Sequence, residues 1–504
     1  MNGANWNDSI LTLVTFIPTA GALLLLVFPR RARDIRWFAL FVSLITFILS
    51  LHLPTYFSHA RTGFQYEINL QWISSPNIHY HLGIDGISMW LVVLTTFLTP
   101  LCVLISWNSV NERVKEFFIL LLVLETALIG VFVALDLFFF YFFWEFTLIP
   151  MALLIGMYGH QRRVYAAVKF FLFTMIGSAF MLAAIIWLYA KTGSFDYLVV
   201  QDAIRSGSAG ISPVALGWLF LGFFVAFAVK VPIFPLHTWL PDAHFEAPTA
   251  GSVLLAGVLL KMGTYGLLRF NVGLFPEQSR QNAPWVVTLA IIGIIYGALV
   301  AMVQPNLKKL VAYSSVSHLG FVVLGIFSFT QIGVDGAVYQ MLSHGISTGA
   351  LFMLVGILYE RRHTFDIAEF GGLATPMPIF AAFFMVIMLS SLGLPLLNGF
   401  VGEFLVLSGA FQARHIYGIL AATGVIWSAA YLLWMYQRVF FGKVRNPVNE
   451  TLPDLSGRER AALWPTALMA LTMGVAPIVW LGSIDPAVHT VLGPLAQTVA
   501  QAVR

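Results

Sequence analysis

Apolar residues in this chain fall in long runs separated by short polar stretches. A bilayer-spanning helix needs about 20 mostly apolar residues. Runs of that length lie near 9–29, 36–54, 84–107, 116–134, 136–158, 165–190, 214–240, 249–270, 284–303, 308–329, 335–359, 376–411, 416–440 and 463–483. The pattern therefore predicts an all-α polytopic membrane protein with about fourteen transmembrane helices. The first run follows an acidic rather than a basic start and lacks a small-residue cleavage site, so it reads as a retained span and not a signal peptide. The longest polar stretches, near 55–83 and 441–462, are too short to fold as domains of their own.

Two of the runs are too long and carry prolines in their middles. Run 7 contains Lys230-Val231-Pro232-Ile233-Phe234-Pro235, and run 12 contains Gly393-Leu394-Pro395-Leu396-Leu397-Asn398-Gly399. Proline removes a backbone donor and clashes with the preceding turn. Freed backbone groups at membrane depth are tolerated only when buried in protein or lining a wet cavity. Each break points to a hydrated interior path. The breaks lie five spans apart, and an odd offset reverses orientation. That is the pattern of two inverted five-helix repeats, spans 4–8 and 9–13, with broken helices 7 and 12. The organisation expected is one membrane domain, 1–504. Within it, 1–110 holds spans 1–3, 111–271 a first half-channel repeat, 280–441 a second, and 442–504 a loop and span 14.

Charge then sets orientation. If the loop after the first run is cytoplasmic, eighteen of the 27 Lys and Arg residues fall on that side and seven on the other. The larger set runs from Arg30 through Lys308 and Lys309 to Arg460; Arg61, Lys191 and Arg504 belong to the smaller one. This positive-inside bias places both termini on the non-cytoplasmic side. Composition agrees: of 504 residues, 59% are apolar and 10% charged, against about 25% charged in a soluble protein. The mean hydropathy is +0.85. A soluble enzyme is excluded, and the basic balance reports topology rather than nucleic-acid binding. The single cysteine, Cys102, rules out a disulfide framework and an iron–sulfur ligand set.

An ionisable residue at the bilayer centre costs at least ~2.5–3.5 kcal/mol and is a functional candidate by default. Glu145 lies within span 5. Lys230 sits beside the first break, where the alternative is a lysine snorkelling to the interface. Lys261 is central in span 8, too deep to snorkel easily. Glu403 follows the second break. His318 and His344 each follow a serine and lie between the breaks; Ser314, Ser315 and Ser317 add hydroxyls. Acid, lysine, lysine, imidazole and acid form a series suited to moving protons. Burial weakens a lysine's hold on its proton and a nearby carboxylate restores it. Separating a Glu145–Lys230 pair would change the proton affinity of Lys230 and pass a charge change to Lys261. Moving a charge across 100 mV costs about 2.3 kcal/mol, and a pair worth two pKa units, at about 1.36 kcal/mol each, is of that size. Asp136 reads as an interface residue. His237, Asp242, His244 and Glu246 form a polar cluster, but Pro241 and Pro248 break the spacing that helical metal ligands need, so it reads as a structured interfacial loop. There is no P-loop and no dinucleotide-binding glycine motif.

The segment Lys230-Val-Pro-Ile-Phe-Pro-Leu-His-Thr-Trp-Leu-Pro-Asp-Ala-His-Phe-Glu-Ala-Pro-Thr-Ala-Gly-Ser-Val, running on to Leu259-Leu260-Lys261-Met262-Gly263, closely resembles the antiporter-like subunits of respiratory complex I, the NADH-quinone oxidoreductase. Leu310-Val-Ala-Tyr-Ser-Ser-Val-Ser-His-Leu-Gly320 does so too, and the resemblance covers essentially the whole chain. Within the family, the L and N branches and related antiporter subunits usually carry Lys where this chain has Glu403, and the L branch adds a long lateral helix after span 14.

The resemblance implies a proton-translocating subunit of a bacterial inner-membrane complex. In it Glu145 and Lys230 are the paired residues of the first half-channel and Lys261 the central lysine. His318 and His344 bridge to the second half, and Glu403 is the terminal titratable group. It implies that this chain binds no cofactor. NADH, FMN, iron–sulfur clusters and quinone would belong to other subunits, with related L and N subunits and the lipid bilayer as partners. The competing expectations are a large subunit of a multisubunit sodium/proton antiporter, a hydrogenase-type membrane subunit, or a purely structural membrane spacer.

Overall fold

The computed structural model describes residues 6–28, 31–61 and 63–502. Arg30 and Arg504, both counted in the charge bias, lie outside the described residues. Helices α1 (Trp6–Val27) and α2 (Ala32–Ser50) are followed by a short α3 (His52–Tyr56). An antiparallel hairpin comes next, β1 (Gln65–Ile73) with β2 (Ile78–Ile84). Then follow α4 (Ser88–Ile105), α5 (Val114–Val133), α6 (Leu137–Phe146), α7 (Leu148–Tyr158), α8 (Arg163–Thr192), α9 (Tyr197–Arg205) and α10 (Pro213–Lys230). After a break come α11 (Trp239–Glu246), α12 (Thr249–Leu254) and α13 (Leu260–Gly266), with π-helical turns at Leu255–Leu259 and Leu267–Val272. The chain closes with α14 (Pro276–Met302), α15 (Leu307–Ile326), α16 (Gln331–Arg362), α17 (Pro378–Leu392), α18 (Asn398–Ala413), α19 (His415–Phe440), α20 (Gly457–Val475) and α21 (Ile478–Ala502).

Among the described residues, twelve helices are long and apolar enough to cross a membrane, or thirteen if α20 and the start of α21, bent by 68°, count as one span. The expected fourteen are thus reduced at run 376–411, which is split into α17 and α18, neither long enough alone. The split has a local cause. Gly393 and Leu396 both take left-handed backbone angles, φ +84° and +76°, with Pro395 between them. Run 7 divides in the same way: α10 stops at Lys230, and helix resumes only at Trp239. The hairpin β1–β2 adds a small sheet to the all-α expectation.

Burial sorts the helices into centre and periphery. The span Thr249–Val272 and helix α16 are buried along their whole apolar windows, while α8 and α19 are only 39% and 33% buried. The central pair approaches closely at glycine. A Cβ on Gly345 of α16 would lie 2.9 Å from the Gly257 carbonyl oxygen in the first π turn. That contact brings the neighbouring residue, His344, to the level of Lys261.

Two backbone bridges tie helix starts together. Asp136, the N-cap of α6, bridges to Asp196, the N-cap of α9. Asn306, the N-cap of α15, bridges to Asp366, which caps a short 3-10 turn. Both members are displaced by 170 residues, 136 to 306 and 196 to 366. The supporting bonds repeat at that offset: Leu137 N to Phe195 O at 2.7 Å and Leu307 N to Phe365 O at 2.8 Å. Asp136 is fully buried at the start of α6. It accepts from the amides of Phe138 and Phe139 at 2.9 and 3.0 Å and from His79 N at 3.0 Å, because a helix start needs its free donors satisfied.

Candidate proton path

Lys261 lies between the two π turns. A π turn loosens the i→i−4 ladder and frees carbonyls. Lys261 Nζ donates to one of these, Ala256 O, at 2.5 Å, and lies 2.6 Å from His344 Nδ1. As an ammonium it donates to Nδ1, which puts the proton of a neutral His344 on Nε2. The His344 and His318 rings are 5.9 Å apart between centroids. His318 in turn holds Glu403: its Nδ1 is 2.7 Å from Oε1. Gln340 donates to the same oxygen at 3.1 Å, and the Tyr431 hydroxyl lies 3.2 Å from His318 Nε2. Glycine again sets the approach: a Cβ on Gly402 would lie 2.9 Å from Gln340 Cα, so α18 seats against α16 and delivers Glu403. Ser390 donates to the Asn398 side-chain oxygen beside this group, and Asn398 donates to Ser343 O at 3.3 Å.

The structure thus brings four of the six expected residues into two bonded pairs whose imidazole rings are neighbours. The other two are arranged more loosely. Lys230 is fully buried at the end of α10 with no hydrogen-bond partner on Nζ, which sits 5.3 Å over the Trp144 ring and 5.5 Å over Phe170. It is held deep and does not snorkel. Glu145 lies beside Trp144 on α6, with Tyr141 and Ser178 as polar neighbours and Lys230 as its electrostatic partner. No direct ion pair joins Glu145 to Lys230. They influence one another electrostatically without a hydrogen bond between them.

The polar cluster at 237–246 departs from the expected interfacial loop. Residues 239–246 are helical, and His237, His244 and Glu246 are all buried. His244 stacks on Phe352 at 4.5 Å, and neither ring nitrogen has a partner. Among the described residues, no three His, Cys, Asp or Glu converge as metal ligands.

Sequence reading missed several buried polar groups. Lys308, assigned to a loop, is buried: Nζ donates to Ala247 O at 2.5 Å and Phe245 O at 3.3 Å and lies 5.1 Å over Phe365. Its neighbour Lys309 obscured it, since a Lys-Lys pair reads as a solvated end. Glu125, inside α5, is fully buried with both carboxyl oxygens unpartnered, and a single acid in an apolar run was the signal available. Tyr431 and Gln340 carry no sequence signal at all.

On the face of the hairpin, His81 is buried between two acids, with Nδ1 2.7 Å from Asp196 Oδ2 and Nε2 3.0 Å from Glu67 Oε1. Burial works to lower its pKa, but the Asp196 and Glu67 carboxylates outweigh that and raise it. Asp196 is raised by burial and more than compensated by His81, ending below the usual carboxylate range. Near it, Asp85 and Arg269 form a buried ion pair. At the other end of the bundle, burial, followed by the charge of Lys308, pushes His160 down to about 4.

The family model described as NADH:quinone oxidoreductase/Mrp antiporter, TM, matches residues 134–428, and that for NADH-ubiquinone oxidoreductase chain 4, amino terminus, matches 13–131. NADH-quinone oxidoreductase subunit M of Rhodobacter capsulatus is 46% identical, covering 98% of this chain and 99% of that protein. The chain belongs to the subunit M family of NADH-quinone oxidoreductase. Chain 4 of the NADH-ubiquinone oxidoreductase of Marchantia polymorpha is 44% identical, with 97% of each covered. A chain of respiratory complex I from Thermus thermophilus superposes with TM-score 0.86 at 34% identity, covering 96% of this chain and all of that one. A chain of the Mrp complex from a Dietzia species matches with TM-score 0.85 at 19% identity, covering 97% and 98%, and shares the fold alone.

Proposed function

We propose that this subunit M family member carries protons across the membrane as a membrane-arm subunit of NADH-quinone oxidoreductase. The observation that carries this reading is the buried contact series Lys261–His344 and His318–Glu403. Lys261 as ammonium passes a proton to His344 Nδ1, and the imidazolium releases one from Nε2. The ring gap to His318 is too wide for a direct bond, so the proton crosses by ring rotation or through one solvent molecule. His318 accepts on Nε2, next to the Tyr431 hydroxyl, and gives its Nδ1 proton to the Glu403 carboxylate. Each transfer moves one proton from donor to acceptor, so no net charge is created inside the bilayer beyond the moving proton. Glu145 acts earlier, in the first half, by approaching or leaving Lys230 and so setting the charge next to Lys261.

The matched bridges at a 170-residue offset support the two-repeat organisation, with a first half-channel at 111–271 and a second at 280–441. The positive-inside bias supports both termini facing away from the cytoplasm in a bacterial inner membrane. Oxidation of NADH and reduction of quinone, with FMN and iron–sulfur clusters, belong to other subunits, and the related L and N subunits are the expected neighbours. The fold is shared with an Mrp complex chain, but Glu403 in place of lysine argues against the antiporter reading, and six deep ionisable groups argue against a spacer. Native separation of membranes carrying the tagged chain, with an in-gel NADH dehydrogenase stain, tests this. Co-migration with a large stained band is expected; a smaller unstained assembly would overturn it.

A further inference from the structure

Helices α8 and α10 pack through small residues and then part. A Cβ on Gly222 would sit 3.0 Å from Phe180 O and 3.2 Å from Ala184 Cβ. Beyond that contact lies a groove of about 540 Å³, open to the outside of the bundle, with Ala183 and Ala184 in its wall. Phe180 lines it at one level and Trp187 seven residues further along α8, a length of about 10 Å. Trp187 and Trp218 stand at the end where α8 finishes and α10 begins, and Trp218 is 72% exposed. Tryptophans at that level belong to the aromatic belt of a membrane interface.

One turn beyond Trp187, Lys191 places its ammonium 5.5 Å from the Trp187 ring. Among the described residues it has no ion-pair partner, and it is one of seven basic residues on the side poor in them. The N-terminus of α10, with its positive dipole end, begins at Pro213 at the same level. An apolar slot therefore opens beneath an uncompensated cation. We infer that this groove is a binding site for an anionic phospholipid, one acyl chain lying between α8 and α10 and the phosphate resting on Lys191. A zwitterionic lipid would fill the slot equally well but would bring its own cation to Lys191.

The inference is independent of the proton path and is tested on the whole complex. The complex is reconstituted with photoactivatable phosphatidylglycerol or phosphatidylcholine bearing a diazirine in the acyl chain, and adducts are mapped by peptide mass spectrometry. Adducts on segments 180–187 and 215–225 are expected with phosphatidylglycerol, in about fivefold excess over phosphatidylcholine, the size set by one Lys at an anionic headgroup. Lys191→Gln should bring the two lipids to parity, and Ala183→Leu with Ala215→Leu should abolish labelling here while adducts elsewhere persist. Equal labelling by the two lipids in the unaltered complex, a comparison that needs no variant, would overturn the inference. So would the absence of adducts on these segments while adducts elsewhere in the complex persist, since the groove would then be closed to lipid.

Discussion

Replacing Glu403 by Gln keeps the side chain's shape and removes its charge. In the structure Glu403 Oε1 receives His318 Nδ1 at 2.7 Å and Gln340 Nε2 at 3.1 Å, at a site only 3% exposed. The bond from His318 is charge-assisted whenever the imidazole is protonated, and such a bond is worth about 1.5–3 kcal/mol. At about 1.4 kcal/mol per tenfold, its loss weakens the His318–Glu403 link, and with it proton delivery along the path, by about 10- to 100-fold. The substituted amide also offers no carboxylate to take the proton. Inverted membrane vesicles reporting NADH oxidation and acidification together separate the two effects. The expectation is an assembled complex with a normal native-gel band, acidification down by at least about tenfold on this arithmetic, and NADH oxidation slowed as far as it is coupled. Glu403→Asp, which retains the acid one methylene short, should recover part of the acidification. An assembled Glu403→Gln complex that acidifies at the unaltered rate would refute the reasoning, since His318 would then need no carboxylate partner.

Glu145→Gln should abolish acidification while leaving the complex assembled, because it removes the one charge that senses Lys230; unchanged acidification removes Glu145 from the mechanism. Gly345→Val places bulk against Gly257 O and the Leu94 side chain, and overpacking of about 1–3 kcal/mol should lower both assembly and thermal stability on native gels. Lys308→Met removes the donor to Phe245 O and Ala247 O and should destabilise the α11–α12 junction by about 1–3 kcal/mol for the orphaned carbonyls, read as earlier proteolysis in the 239–254 region. The hairpin should show a pH optimum in hydrogen exchange of residues 65–84. His81 is raised, so its contribution is complete below its unfolded value and is lost as pH climbs through the raised one. Asp196 is lowered, so its contribution is lost as pH falls through the lowered value. Protection that rises steadily with alkaline pH would contradict the His81 bridge.

Run length and hydropathy determined the membrane class, most span positions and the two breaks, because a bilayer selects directly for about 20 apolar residues and against free backbone polar groups. The six deep ionisable residues were legible for the same reason: in lipid each stands out against an apolar background. What touches what was not. Lys261 reaches His344 only because Gly257 and Gly345 let two central helices approach and a π turn frees Ala256 O. His318 reaches Glu403 only because Gly402 seats α18 on α16. Lys308 read as a loop charge, because sequence gives depth along a helix but not the helix that covers it. Glu145 and Lys230, close in electrostatics yet without a direct bond, show the same limit. Local composition decides what can enter the membrane, and only packing decides which buried charges become neighbours.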